Sequence, residues 1–137
     1  MEDEVNPMKN ANITTVRWGE IYLCNLGSNK GSVQSGKRPV LVLQNNIGNN
    51  NGPTTVVATI SSVLKKLNQP THILLDTSCG LREDSIVMLE QIRTVDKEKE
   101  LLEYIGEVRD EKTIYAIKQG ILTEFGLIKR PQPRRTG

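Results

Sequence analysis

Arg38 is the residue whose neighbours best suit it to hold an anion. It ends a segment rich in glycine, serine and lysine, residues 27–37 (GSNKGSVQSGK), and it begins the short apolar run 38–44 (RPVLVLQ). Pro39 restrains Arg38 toward an extended backbone, so the cation sits at a loop–strand junction. A second run, 55–61 (TVVATIS), is β-branched almost throughout and carries the hydroxyls Thr59 and Ser61, with Ser62 just beyond. If the two runs pair as an antiparallel hairpin through residues 45–52 (NNIGNNNG), the start of one meets the end of the other. Arg38 and Ser61 then come close. A guanidinium beside a hydroxyl, under a glycine-rich loop of free backbone N–H groups, suits a phosphodiester. The residues alone leave a plainer alternative open, because an arginine at a strand start is ordinarily a solvated edge residue.

Other constellations fail on context. Residues 31–37 (GSVQSGK) spell most of a phosphate-cradling P-loop, but Arg38 stands where a magnesium-binding Ser or Thr is required, and a strand rather than a helix follows. Ser61, His72 and Asp76 lack the G-x-S-x-G elbow of a hydrolase triad. Cys24, His72 and Cys79 lack the close paired spacing of a structural zinc site, and His72 is the sole histidine. No metal site and no cofactor is expected.

The elements that must position Arg38 and Ser61 fit one domain of 137 residues. Residues 1–16 read as a polar lead-in, 17–128 as the domain and 129–137 (KRPQPRRTG) as a basic, flexible tail. Strand signals cover 19–25, 38–44, 55–61, 72–76 and 85–89, then a polar stretch 90–94, with a last strand near 101–108. Six short strands separated by turn residues predict a small β-barrel. From Asp110 onward, Ile114, Ile117, Ile121 and Phe125 recur at helical spacing, so a C-terminal helix ending near Gly126 completes an α+β fold. Both long polar segments, 27–37 and 45–52, read as loops, and long loops in so small a domain are more often functional than idle.

Net charge is +2 and aromatics are 4%, which at first argues against a nucleic-acid ligand. The total is a cancellation. Residues 17–66 hold six cations against one acid, whereas 67–128 hold seven against twelve. The two cysteines form no paired motif, no apolar run approaches the roughly 18–20 residues of a membrane span, and the acidic opening is unlike a signal peptide. A cytoplasmic protein with no membrane attachment is expected.

From Arg17 to Gly106 the chain resembles the MazF/PemK family of toxin–antitoxin ribonucleases. The segments that carry the likeness are RWGEIYLCNL (17–26), GKRPVLVLQNNIGN (36–49), PTTVVATISS (53–62), QPTHILLD (69–76) and DSIVMLEQIRTVDK (84–97). The resemblance implies a small SH3-like barrel with a flanking helix, a homodimer, and metal-independent cleavage of single-stranded RNA. It also implies a cognate antitoxin with an acidic C-terminal segment. The family's catalytic arginine falls on Arg38 and its catalytic hydroxyl on Ser61, where serine keeps the oxygen and loses a methyl. Many members carry Glu before the Gln of the first loop. Here Val33 stands before Gln34, which puts a carboxylate base in doubt. Ser32, Gln34, Lys37 and Thr59 are the expected RNA contacts. Glu90, Gln91, Arg93 and His72 are read as a supporting polar network. Two further readings stay open at this point: a gyrase poison of the similarly folded CcdB type, and a catalytically weakened homologue that only binds RNA or antitoxin.

Overall fold

The structure is a computed structural model that describes residues 15–28, 31 and 34–134. Among the described residues, six strands form one antiparallel sheet: β1 (Glu20–Asn25), β2 (Lys37–Val42), β3 (Thr54–Ser61), β4 (His72–Leu75), β5 (Ser85–Asp96) and β6 (Leu101–Glu107), in the order β4-β5-β3-β2-β1-β6. The fold is mainly β with a C-terminal helix. The sheet does not close into the expected barrel, because β4 and β6 remain its two edges. The edges are nevertheless brought near each other, since the 3-10 turn Thr77–Cys79 after β4 meets β6 backbone to backbone. A Cβ on Gly106 would lie 1.9 Å from the Cys79 carbonyl oxygen, so only glycine admits that approach.

Two elements differ from the sequence expectation. The polar stretch 90–94 is not a break; β5 runs through it as one strand from Ser85 to Asp96. Its ladder to β3 slips instead, from Ala58↔Ile92 to Thr59↔Met88, so that residues 89–91 bulge and the strand bends. The second difference is residues 45–52, expected as a loop, which contain the short helix α1 (Asn46–Asn51). The side chain of Asn45 caps it by accepting from Gly48 N. Asn49 is buried at its centre: Oδ1 accepts from Thr55 Oγ1 at 2.6 Å and Gln44 Nε2 at 3.1 Å, and Nδ2 donates to the Gln44 carbonyl at 2.9 Å. Asparagine richness here serves a satisfied internal network.

The sheet has two packed faces, set by strand alternation. Ile21, Leu41, Ala58, Ile60, Val87 and Leu89 form one apolar layer, covered by helix α2 (Glu111–Glu124) through Ile114, Ile117 and Ile121. Asp110 caps α2 by accepting from Thr113 N at 2.9 Å, and Gly126, in the left-handed region, ends it with Leu127 N donating to the Leu122 carbonyl. The other face holds Val16, Tyr22, Cys24, Leu26, Val40, Val42, Val57, Val95 and Leu101. The core therefore includes Val16, inside the segment read as a lead-in. Part of the basic tail lies along α2, with Gln132 N donating to Gln119 Oε1 at 2.8 Å and Arg134 bonded to Glu111 at 2.8 Å.

Candidate active site

The β2–β3 ladder directs Arg38 and Ser61 to the same end of the sheet. Its pairs are Val42↔Val57, Leu41↔Ala58 and Val40↔Thr59; the same register continued by two residues would put Arg38 opposite Ser61. Residues opposite one another share a face of the sheet. Cys24 pairs with Arg38, Ser61 with Ile86, and Ile86 with Leu74, so one row crosses the sheet as Cys24, Arg38, Ser61, Ile86 and Leu74. The adjacent row reads Tyr22, Val40, Thr59, Met88 and His72. The first row meets solvent at two of its members, while Cys24, Ser61 and Ile86 are buried. Arg38 is half-buried and Leu74 is 49% exposed.

The side chain of Arg38 is oriented from within its own loop. Nε donates to the Ser35 carbonyl at 2.9 Å, while neither Nη group has a hydrogen-bond partner among the described residues. That arrangement leaves the two-pronged end of the guanidinium for an anion. Ser61 is 9% exposed, and its Oγ accepts from Val63 N at 3.1 Å. An oxygen that accepts in this way keeps its own proton to donate.

The base of the glycine-rich loop is fixed. Leu26 N donates to the Gly36 carbonyl and Gly36 N to the Gly27 carbonyl, both at 2.8 Å. Arg93 on β5 donates from Nη1 to the Leu26 carbonyl at 3.3 Å, so it supports that base. Lys37, the first residue of β2, is exposed and by strand alternation lies on the opposite face from Arg38, so it departs from the expected RNA contact, and Gln34 is half-buried in the loop. Ser32 and Val33 lie outside the described residues.

Thr59 departs from the expectation of an RNA contact. It is 2% exposed between Val40 and Met88, and its Oγ1 has no partner among the described residues. The neighbouring strands bury it one row behind Ser61, so it forms part of the wall. Cys24, by contrast, shares the row of Arg38, which sequence reading missed. The signal was available in the β1–β2 hairpin register across the loop. Burial, reinforced by Glu100 and partly offset by Arg93, pushes the Cys24 thiol up to about 12. It stands there as a neutral apolar group.

Glu90 and His72 also form a unit that the sequence did not pair. His72 Nε2 lies 2.7 Å from Glu90 Oε2, and Glu90 Oε1 accepts from Thr71 Oγ1 at 3.0 Å. Among the described residues no group of three His, Cys, Asp or Glu side chains could hold a metal ion, and no helix is long and apolar enough to cross a membrane.

Known proteins share this sequence pattern and fold. The profile of the PemK-like, MazF-like toxin of type II toxin–antitoxin systems matches residues 17–124. The chain is 44% identical to the endoribonuclease EndoA of Bacillus subtilis over 97 residues, which is 70% of this chain and 83% of that protein. It is 41% identical to the endoribonuclease MazF of Staphylococcus saprophyticus over 105 residues, 74% of this chain and 88% of the relative. A mycobacterial endoribonuclease solved in complex with its cognate antitoxin superposes with a TM-score of 0.64 at 26% identity, covering 87% of this chain and 98% of that one. The fold is shared as well with MazF of Deinococcus radiodurans, at a TM-score of 0.67 and 19% identity over 82% of this chain and 97% of that one. By sequence over most of its length and by fold, this chain belongs to the PemK-like, MazF-like toxin family of type II toxin–antitoxin systems.

Proposed function

We propose that the chain is a toxin endoribonuclease that cuts single-stranded RNA at the open end of the Arg38 row. The observation that carries this reading is the β2–β3 register, which directs to one end of the sheet a cation whose Nη groups have no partner among the described residues and a hydroxyl with a proton to donate. RNA supplies its own nucleophile. The 2′-oxygen bonds to phosphorus, the bond from phosphorus to the 5′-oxygen breaks, and the proton lost at one oxygen is gained at the other. The products are a 2′,3′-cyclic phosphate and a 5′-hydroxyl end. The protein's part is to stabilise the pentacoordinate anion between them. Arg38 offers charge and two N–H donors, and Ser61 offers an O–H to a non-bridging oxygen. Such a reaction needs no metal.

Substrate would lie along the Gly27–Gly36 loop, with Arg38 on the phosphate and Gln34 and Ser32 reading splayed base edges. DNA lacks the 2′-hydroxyl and would bind without being cut. The cytoplasm is the compartment where a messenger RNA substrate is met. The partners in this reading are a second copy of the chain and an antitoxin whose acidic C-terminal segment competes with RNA for the cationic row.

The test is a panel of fluorogenic RNAs with EDTA present, comparing the wild type with Arg38→Ala. Cleavage by the wild type, a cyclic phosphate at the new 3′ end, and loss of both in the variant are expected. Cleavage that persists unchanged in Arg38→Ala would remove the proposed site.

A further inference from the structure

The segment that leaves Ser61 returns to the sheet through a contact that dictates where protons must be. His72 begins β4 with its side chain only 2% exposed, on the same face as Arg38 and Ser61 and one row behind them. Both ring nitrogens face oxygen. Nδ1 lies 3.0 Å from the Lys65 carbonyl, in the loop three residues after Ser62, and Nε2 lies 2.7 Å from Glu90 Oε2. A carbonyl oxygen has no proton to give, so Nδ1 must carry one. A bare Nε2 against a bare carboxylate would then be repulsive, so the second contact holds a proton too, on the ring or on Glu90. The pair as a whole is a neutral, proton-sharing unit.

Glu90 is itself held. Thr71 Oγ1 donates to its other oxygen, Gln69 Nε2 donates to Thr71 Oγ1 at 3.0 Å, and Leu89 N donates to the Thr71 carbonyl at 2.8 Å. Glu90 sits in the stretch where β5 slips against β3, and this slip frees it from the ladder to face β4. The loop between Ser61 and His72 has few other anchors. Its residues 62–68 are exposed, and Lys66 adopts a left-handed backbone, φ 51°. Among the described residues this loop is thus tied to the sheet by the Lys65 carbonyl on His72 and by Val63 N, which orients Ser61 Oγ.

We propose that His72 and Glu90 are positioning residues: a proton-sharing pair that holds the 62–68 loop, and through Val63 the hydroxyl of Ser61, in working geometry. The catalytic part of this inference rests on the endoribonuclease reading; the structural part does not. Because His72 is the sole histidine, isotope-labelled histidine reports on this ring alone by NMR. In the full-length wild type at neutral pH, Nδ1 is expected to be protonated and Nε2 to be protonated or strongly hydrogen-bonded; a bare Nδ1 overturns the proposal.

Glu90→Ala is expected to speed amide exchange across residues 63–68 and to lower kcat for RNA roughly tenfold with KM nearly unchanged, because a misplaced group loses rate rather than binding. Glu90→Gln retains an amide that can donate to Nε2 and should restore both readouts to within about threefold of the wild type. Thr71→Val, which removes only the hydroxyl holding Glu90, should move both in the direction of Glu90→Ala by less, and it serves if that variant does not fold. Unchanged exchange, or faster exchange with unchanged kcat, overturns the proposed role. A wild type that cuts no RNA overturns the enzymatic reading instead, while the ring protonation and loop exchange still decide whether the clamp exists.

Discussion

The two faces of the sheet are built from the same strands and end differently. The face under α2 is apolar throughout, and Ile114, Ile117 and Ile121 of the helix seal it. The opposite face begins as a similar layer, with Val42, Val57, Val95 and Leu101, but ends at the row of Arg38 and Ser61. Among the described residues no helix covers that end. One face stores stability and the other presents chemistry, and alternation along β2 divides them: Leu41 points one way, Arg38 and Val40 the other. A single strand can therefore carry a core residue and a site residue side by side, so substitutions on the two faces should affect different quantities.

The sharpest way to break this contrast is at Arg38. Arg38→Ala should lower kcat/KM on RNA by roughly 10³-fold while leaving the urea midpoint close to that of the wild type, since loss of a charge-stabilising donor costs rate. A large loss of stability instead would make Arg38 a packing residue. Ser61→Ala should cost roughly 10²-fold in kcat by removing one donor. Ser61→Thr, which keeps the oxygen, should retain most activity.

Ile117→Ala tests the sealed face. It should cost about 2–4 kcal/mol in denaturant unfolding, because a fully buried side chain is truncated against the sheet, with kcat per folded molecule unchanged. A smaller effect is expected at Gly120, where α2 comes closest. A Cβ there would lie 2.5 Å from Leu89 Cδ1 and 3.1 Å from the Pro70 carbonyl oxygen. Gly→Ala in an exposed helix would stabilise, but here crowding should turn the sign and cost about 1–2 kcal/mol. Stabilisation instead would mean that α2 can draw back from the sheet.

At neutral pH the least visible effect concerns the buried thiol beside the site. With Cys24 pushed up to about 12, it should resist alkylation in the folded protein at pH 8 and react at once on unfolding. The same shift gives a pH dependence. Between 9.0, the thiol's ordinary value, and about 12, the unfolded chain has lost this proton while the folded chain keeps it. Stability should therefore fall as pH rises, by up to about 1.4 kcal/mol per pH unit from this group. Burial and Glu20 raise the Tyr22 hydroxyl in the same direction, which extends the loss at higher pH. Stability that rises with pH across that window would contradict the burial of Cys24.

Legibility in the sequence followed the range of the interaction. The strand runs, the helix with its Asp110 cap and the Gly126 stop were readable because periodicity and capping act over a few residues. Arg38 and Ser61 were readable as partners because a hairpin relates them through one connection. The Asn-rich segment misled, since its composition is that of a loop while Asn49 uses a buried site supplied by Thr55 and Gln44. The stretch 90–94 misled for a similar reason. Polar residues there remain in strand β5 because β3 takes up its backbone again from Ile92, through Ala58↔Ile92, Val57↔Arg93 and Val56↔Thr94.

By itself the sequence determined the elements, the loop-to-strand junction at Arg38 and the hydroxyl that closes β3. It also determined the family, because those motifs recur in order over most of the chain. Only the tertiary structure decided which polar residues reach the open row and which are wall. Thr59 and Ser61 differ by two positions in one strand, yet Val40 and Met88 enclose the first, at 2% exposed, while the second, at 9% exposed, ends the strand toward the Arg38 side. The pairing of His72 with Glu90 likewise depends on a ladder slip in β5. Such placements depend on strands distant in the chain, which local pattern does not encode.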